Sequence, residues 1–116
     1  MAKKSRDKGG RGEREVVALL NNAGIRAERN LSQTRDGGHD VDLPDMPDFA
    51  IEVKRAEIEC YTAWMRQCIA QAEGKTPVLA WRKSRQPWRF AVVMDCDQFT
   101  EYLNRSNLWT EEDATG

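Results

Sequence analysis

Between Gly37 and Lys54 the chain reads Gly-Gly-His-Asp-Val-Asp-Leu-Pro-Asp-Met-Pro-Asp-Phe-Ala-Ile-Glu-Val-Lys. An aspartate in or beside one short strand pattern, a Pro-bearing turn and a Glu-x-Lys on a second strand bring several carboxylates and one ammonium together. Residues two apart on a strand share a face, so Glu52 and Lys54 project together while Ile51 and Val53 go to the other side. Gathering carboxylates is unfavourable unless a cation offsets their repulsion, and hard oxygen ligands are what Mg²⁺ binds. The lysine is then left to position an attacking water or to steady a phosphoryl charge. The pattern fits metal-dependent hydrolysis of a phosphodiester.

Those residues need a framework. From Gly12 onward, Val16, Val17, Leu19, Leu20 and Ala23 form an apolar stripe at helical spacing, and Gly24 supplies a stop. Ile25–Leu31 alternates loosely as a first strand, and Ser32–Gly38 is a polar loop carrying Arg35. Strands are expected over His39–Leu43 and Phe49–Arg55, joined by the turn with Pro44 and Pro47. A helix over Tyr61–Ala72 sets Trp64, Cys68 and Ala72 on one face, with Gly74 as its cap. Strands over Thr76–Trp81 and Trp88–Met94 and a last helix over Asp97–Leu103, capped near Asp95 or Asp97, complete the order. This is an α/β domain with a mixed central sheet flanked by helices. Residues 1–9 read as a flexible basic arm, 10–105 as the domain, and 106–116 as an acidic, frayed tail.

If the hairpin turn centres near Met46, antiparallel pairing sets Asp40 opposite Glu52 and Asp42 opposite Ala50. That register favours Asp40 as the metal ligand and leaves Asp42 as its substitute. Asp45 and Asp48 are most simply turn formers.

At 116 residues, 40% of them hydrophobic, the chain has enough apolar content for one modest core. No apolar run approaches a membrane span, and the polar, basic start carries no signal-peptide pattern, so no membrane association is expected. Cys60, Cys68 and Cys96 are an odd number without zinc-ligand spacing, as suits free thiols in a reducing cytoplasm. A net charge of −1 conceals an uneven distribution. Lys3, Lys4, Arg6, Lys8, Arg11 and Arg14 crowd the start, and Arg82, Lys83, Arg85 and Arg89 are interleaved with Trp81 and Trp88. Basic arms around an acidic pocket suit a polyanion gripped by its phosphates.

Taken in order, Gly12-Glu13-Arg14-Glu15, Arg29, Gly38-His39-Asp40-Val41, Ile51-Glu52-Val53-Lys54 and Pro77-Val78-Leu79-Ala80 resemble the PD-(D/E)xK nuclease superfamily. Within it, the likeness is to archaeal and phage Holliday-junction resolvases, and it covers roughly residues 10–103. The resemblance implies a restriction-endonuclease-like fold and a Mg²⁺-dependent endodeoxyribonuclease, with Mn²⁺ as a substitute. Glu13, Asp40 and Glu52 would be its metal ligands, and these three with Lys54 its catalytic set. It further implies that Arg14 and Arg29 contact phosphates, joined by Arg11 and Arg35, and that Gln67 points at the site from its helix. A bidentate guanidinium suits that phosphate work. The single histidine, His39, is not the family's usual base and is expected to serve the start of its strand. The resolvase likeness implies a homodimer acting on branched duplex DNA without a small-molecule cofactor, in the cytoplasm of a bacterial, archaeal or phage-infected cell. Another nuclease of the same fold, cutting flaps, ends or foreign DNA, or a non-catalytic DNA-binding module, are the alternatives.

Overall fold

Strand Phe49–Arg55 alternates between two chemistries, and the fold is built around that division. Ile51 and Val53 face one side and Ala50, Glu52 and Lys54 the other, so each side of the sheet receives its own cover. The computed structural model describes residues 2–31 and 38–106, with side chains from Gly10 onward. Its elements are α1 (Ala2–Asn22), β1 (Glu28–Arg29), β2 (Val41–Asp42), β3 (Phe49–Arg55), α2 (Tyr61–Ala72), β4 (Thr76–Arg82), β5 (Arg89–Val92) and α3 (Cys96–Ser106). The strands form one mixed sheet in the order β1-β2-β3-β4-β5. Among the described strands only β3 and β4 run parallel, and α2 makes the crossover between them.

On one face, Val16 of α1 is fully buried against Ala27, Val41, Leu43, Ile51, Val78 and Ala80, with Val17, Leu20, Val53 and Trp88 closing the margin. On the other, Trp64 and Cys68 of α2 pack on Leu79, bordered by Ala56, Met65 and Trp81. The helical face foreseen for α2 is the observed one: its buried residues are Trp64, Cys68 and Ala72.

Helix α1 ends in a Schellman motif. The Ile25 amide reaches Leu20 O at 2.9 Å, and the Gly24 amide reaches Asn21 O at 3.0 Å. Gly24 adopts φ +88°, which a side chain would resist. Asn21 then pins the start of the next segment. Its Oδ1 accepts the Ala27 amide at 3.0 Å, and its Nδ2 donates to Ala27 O at 3.2 Å.

The structure differs from the sequence expectation at the start of α1 and in strand length. Helical backbone begins at Ala2, so residues 2–9, expected as an arm, continue α1. Three glycines in four residues, 9, 10 and 12, suggested a later start because glycine is a poor helix former. Gly12, however, lies where the helix touches the sheet. A Cβ there would meet Arg55 Cβ and Val53 Cγ1, each at 3.3 Å, and the Trp88 ring at 3.6 Å. Strands β1 and β2 are two residues each rather than the longer runs expected, because side chains replace part of their ladder. Strand β5 is also shorter than expected, although Val93 N still donates to Pro77 O of β4 at 2.9 Å. Helix α3 is longer than expected and opens with a reciprocal cap, Gln98 N to Asp95 Oδ1 at 2.8 Å and Asp95 N to Gln98 Oε1 at 3.0 Å. It buries none of its residues and shows Phe99 and Tyr102 to solvent. No helix among the described residues is long and apolar enough to cross a membrane.

The Gly12 contact gives a stability test. Gly12→Val should push α1 off β3 and lower the unfolding free energy by roughly 1–3 kcal/mol, the usual range for overpacking. A lowered urea midpoint with an unchanged m-value is the expected result.

Candidate active site

The site forms where β2 and β3 separate. Their pairing is Val41 with Ile51 and Asp42 with Ala50, the register read from the sequence, and the same register carries Asp40 opposite Glu52. Asp40 N still donates to Ile51 O at 2.9 Å. The next β3 donor, Val53 N, is met by the Asp40 carboxylate, Oδ2 at 2.8 Å. Asp40 thus closes the fork with its side chain, and its charge is held beside Glu52.

Glu52 is only 3% exposed. Its pKa is pushed from 4.5 up to about 8, first by burial, then by the negative charge of Asp40 and a hydrogen bond with it. Lys54 opposes the rise, and Glu13 adds to it. Once both carboxylates are ionised, the proton they could share is gone and Glu52 Oε2 is buried with no hydrogen-bond donor among the described residues. A buried carboxylate oxygen left in that condition is unfavourable unless something else binds there.

Lys54 lies at the exposed end of the same strand face. Its Nζ is 4.0 Å from Glu52 Oε1 and donates to Gln67 Oε1 at 2.6 Å. Gln67 Nε2 stands 3.5 Å from Glu52 Oε1, at the limit of a hydrogen bond. From α2, one amide therefore touches both members of the Glu-x-Lys pair.

Glu13 comes in from α1 and is buried. Arg29 Nε donates to its Oε1 at 3.2 Å. The guanidinium tips of Arg14 and Arg29 approach one spot beside Gly10, where a Cβ would lie 3.1 and 3.5 Å from them. Arg11 is exposed on the same helix, and Arg35 lies outside the described residues. Asp42 is engaged elsewhere, since His39 Nε2 donates to its Oδ1. His39 is buried and serves Asp42. Glu15, read as structural, accepts from Arg82 and from Trp88 Nε1 at 3.2 Å. Arg55 Nε is 3.1 Å from Glu15 Oε2, an ion pair by distance although the N–H is not aimed at the oxygen.

Two residues that the sequence reading passed over hold the Asp40 segment. Asn30 Nδ2 donates to His39 O at 2.9 Å, and Gly38 N donates to Gln71 Oε1 at 2.6 Å. Gln71 is one helical turn beyond Gln67, and that i, i+4 pair of amides was the available signal.

Among the described residues, no three His, Cys, Asp or Glu side chains converge closely enough to cage a metal ion. What the site offers is a pair, Asp40 and Glu52; Glu13, expected as a third ligand, is not gathered with them into a group of three, and its Oε1 accepts from Arg29. This fits a Mg²⁺-type ion, which usually keeps several waters and takes one or two carboxylates plus substrate phosphates.

Residues 4–113 match the family described as "Phage putative PDDEXK endonuclease". The chain belongs to this PDDEXK endonuclease family. Its fold is restriction-endonuclease-like. It is similar to the 1.6 Å structure of Hjc from Archaeoglobus fulgidus, a Holliday junction resolvase from an archaeal hyperthermophile. That similarity has a TM-score of 0.53 and 21% identity, and it covers 78% of this chain and 89% of that one. No curated protein matches the sequence.

The raised pKa of Glu52 implies that the folded, metal-free chain binds a proton the unfolded chain has released. Its contribution to stability is complete below about 4.5 and is lost as pH rises towards about 8. Thermal melts in EDTA should show Glu52→Gln gaining on wild type steadily across that window, and a pH-independent difference would contradict the assignment. Gln67→Leu should lower kcat by roughly 10- to 100-fold, the scale of other residues that orient a site, with KM little changed in steady-state kinetics.

Proposed function

We propose that this PDDEXK endonuclease family member hydrolyses DNA phosphodiesters with a divalent cation, Mg²⁺ in the first instance, and that its preferred substrate is a Holliday junction. The observation that carries the chemistry is the buried Glu52 Oε2 beside Asp40, without a donor among the described residues, while Lys54 and Gln67 stand at the other oxygen, Oε1. Asp40 and Glu52 would hold the cation, and Glu13 adds negative charge from α1 while fixing Arg29. A bound divalent ion lowers the pKa of a coordinated water and offsets charge on the phosphate.

The chain's own residues do the rest. Glu52, once ionised, accepts a hydrogen bond from the attacking water and orients it. Lys54 Nζ, aimed by Gln67, stands where charge develops on the phosphoryl oxygens. Arg14 and Arg29, with Arg11, grip the backbone, which reads position rather than sequence. The archaeal resolvase fold supports the choice of junction. A two-fold dimer would present two such sites to opposed strands of a four-way junction. The apolar side chains left exposed on β5 and α3, Phe90, Val92, Phe99 and Tyr102, are compatible with such a contact. Free Cys60, Cys68 and Cys96 suit action in a reducing host cytoplasm.

The test is cleavage of a labelled four-way junction beside a linear duplex of matching sequence, with Mg²⁺ or EDTA. Symmetric nicks in the junction alone, lost in EDTA and in Glu52→Ala, are expected. Equal cutting of both substrates would keep the nuclease and remove the junction preference. Asp40→Asn should abolish cutting while Asp42→Asn retains it, and Lys54→Ala should reduce kcat by roughly 10²–10³.

A further inference from the structure

Beyond the carboxylates, the same sheet face continues into a second feature. Lys54 pairs in register with Trp81 of β4, and Trp81 with Arg89 of β5. The three side chains form a row across three strands on the α2 side. With strands roughly 4.8 Å apart, Arg89 stands roughly 10 Å from Lys54. At the far end of this row is a pocket of about 330 Å³, lined by Tyr61, Trp81, Lys83, Gln86, Pro87 and Arg89 among others. That volume sits at the small end of the range, roughly 300–1,000 Å³, of clefts that take small organic ligands.

The chemistry of the pocket is mixed in a particular way. Tyr61 meets Trp81 edge to face, ring centroids 5.6 Å apart at 78°, and meets Trp64 at 5.7 Å and 89°. The rings of Tyr61 and Trp81 therefore form a corner rather than a closed stack. Trp81 is half-buried and seals the core behind it, whereas Tyr61 is 47% exposed. Lys83 is held by Glu59 at 2.8 Å, and Arg82 is turned to Glu15. Arg89 is exposed and has no ion-pair partner among the described residues. The loop forming the rim is braced: Ser84 N donates to Glu57 Oε1 at 3.1 Å, Ser84 Oγ donates to the same oxygen, and Gln86 N reaches Lys83 O at 3.1 Å. Arg85 within it holds φ 64°, a left-handed conformation unusual for a non-glycine residue. Such strain persists where surrounding contacts over-determine the backbone.

An aromatic corner with a guanidinium at its mouth matches the two halves of a nucleotide, a flat base and an anionic phosphate. We propose that this pocket takes a nucleotide displaced from the duplex beside the cut, its base against Trp81 and Tyr61 and its phosphate at Arg89. The inference rests on the nuclease reading above and narrows its substrate. The enzyme favours branch points that release an unpaired nucleotide over those that stay fully paired. Bases stack on aromatic side chains whatever their identity, so the preference is for unpaired structure rather than for sequence.

The experiment compares two four-way junctions of equal arm sequence, one fully paired and one with unpaired thymines at the crossover. Binding is measured in a Glu52→Gln background, alone and with Tyr61→Ala or Arg89→Ala. Each added substitution should weaken binding of the unpaired junction by roughly 5- to 100-fold and leave the fully paired junction within about twofold. Tyr61 is exposed and Arg89 is on the edge strand, so both variants are expected to fold, as their circular dichroism and melting point would show. An equal loss on both junctions, or no loss on either, overturns the pocket and leaves the nuclease reading standing. Failure of the Glu52→Gln protein to hold either DNA, together with no cleavage by wild type, overturns both.

Discussion

A carboxylate buried where it cannot comfortably be charged is the constraint on which this fold is arranged. Glu52 occupies the middle of the central strand, flanked by Ile51 and Val53 that belong to the core. Moving it outward would shift the register of the whole strand and expose the residues packed under α1. The surroundings compensate where they can. Lys54 supplies a positive charge two residues on, Gln67 shares an amide between the two, and Arg29 pairs with Glu13, whose charge is the smallest of the contributions that raise Glu52. What is left uncompensated is one oxygen and the mutual repulsion with Asp40. Native sites carry such local conflict where it is used.

The framework answers to that requirement. Strand β2 is short because Asp40 gives its side chain, not another backbone carbonyl, to Val53. The cradle around Gly38–Asp40, drawn from Asn30 on one side and Gln71 on the other, keeps this fork from closing into ordinary sheet. On the opposite face, Glu15 ties α1 to Arg55, Arg82 and Trp88, and Gly12 lets the helix lie close. Both devices fix the height of α1 above the sheet and so the reach of Glu13, Arg14 and Arg29. The core residues and the acidic ones are thus two consequences of one strand alternation.

Much of this was legible in the residues because the strongest signals were periodic. Phe49–Arg55 and Tyr61–Ala72 were bounded correctly, since alternation in one and a three-residue apolar face in the other coincide with turn signals. The hairpin register followed from the position of Met46, and with it the pairing of Asp42 with Ala50. Boundaries failed where side chains stand in for backbone. Nothing in Ile25–Leu31 announces that only Glu28 and Arg29 remain in the ladder, because the substitutes, Asn21 and Asn30, are polar residues that read as loop. The early start of α1 was hidden by its glycines, and the reason for Gly12, close approach to Arg55 and Val53 of β3, is tertiary. Gln71 escaped notice for the same cause: an amide looks alike whether it faces water or a glycine amide.

The way the site is distributed along the chain also bears on how it is assembled. Gln67 is 15 residues from Glu52 and 13 from Lys54, and Asp40 is 13 from Val53. Apart from Glu13 and its arginines, the site comes from one short stretch of chain, most of it a strand and the helix that follows. Loop-closure entropy rises with length, and contacts of shorter sequence separation speed folding. The acidic pair can therefore be formed early, by neighbours in sequence, before the distant α1 is docked over the sheet. A small domain that carries an electrostatic conflict at its centre is helped by meeting that conflict within a local unit, with the long-range packing of α1 left to consolidate it.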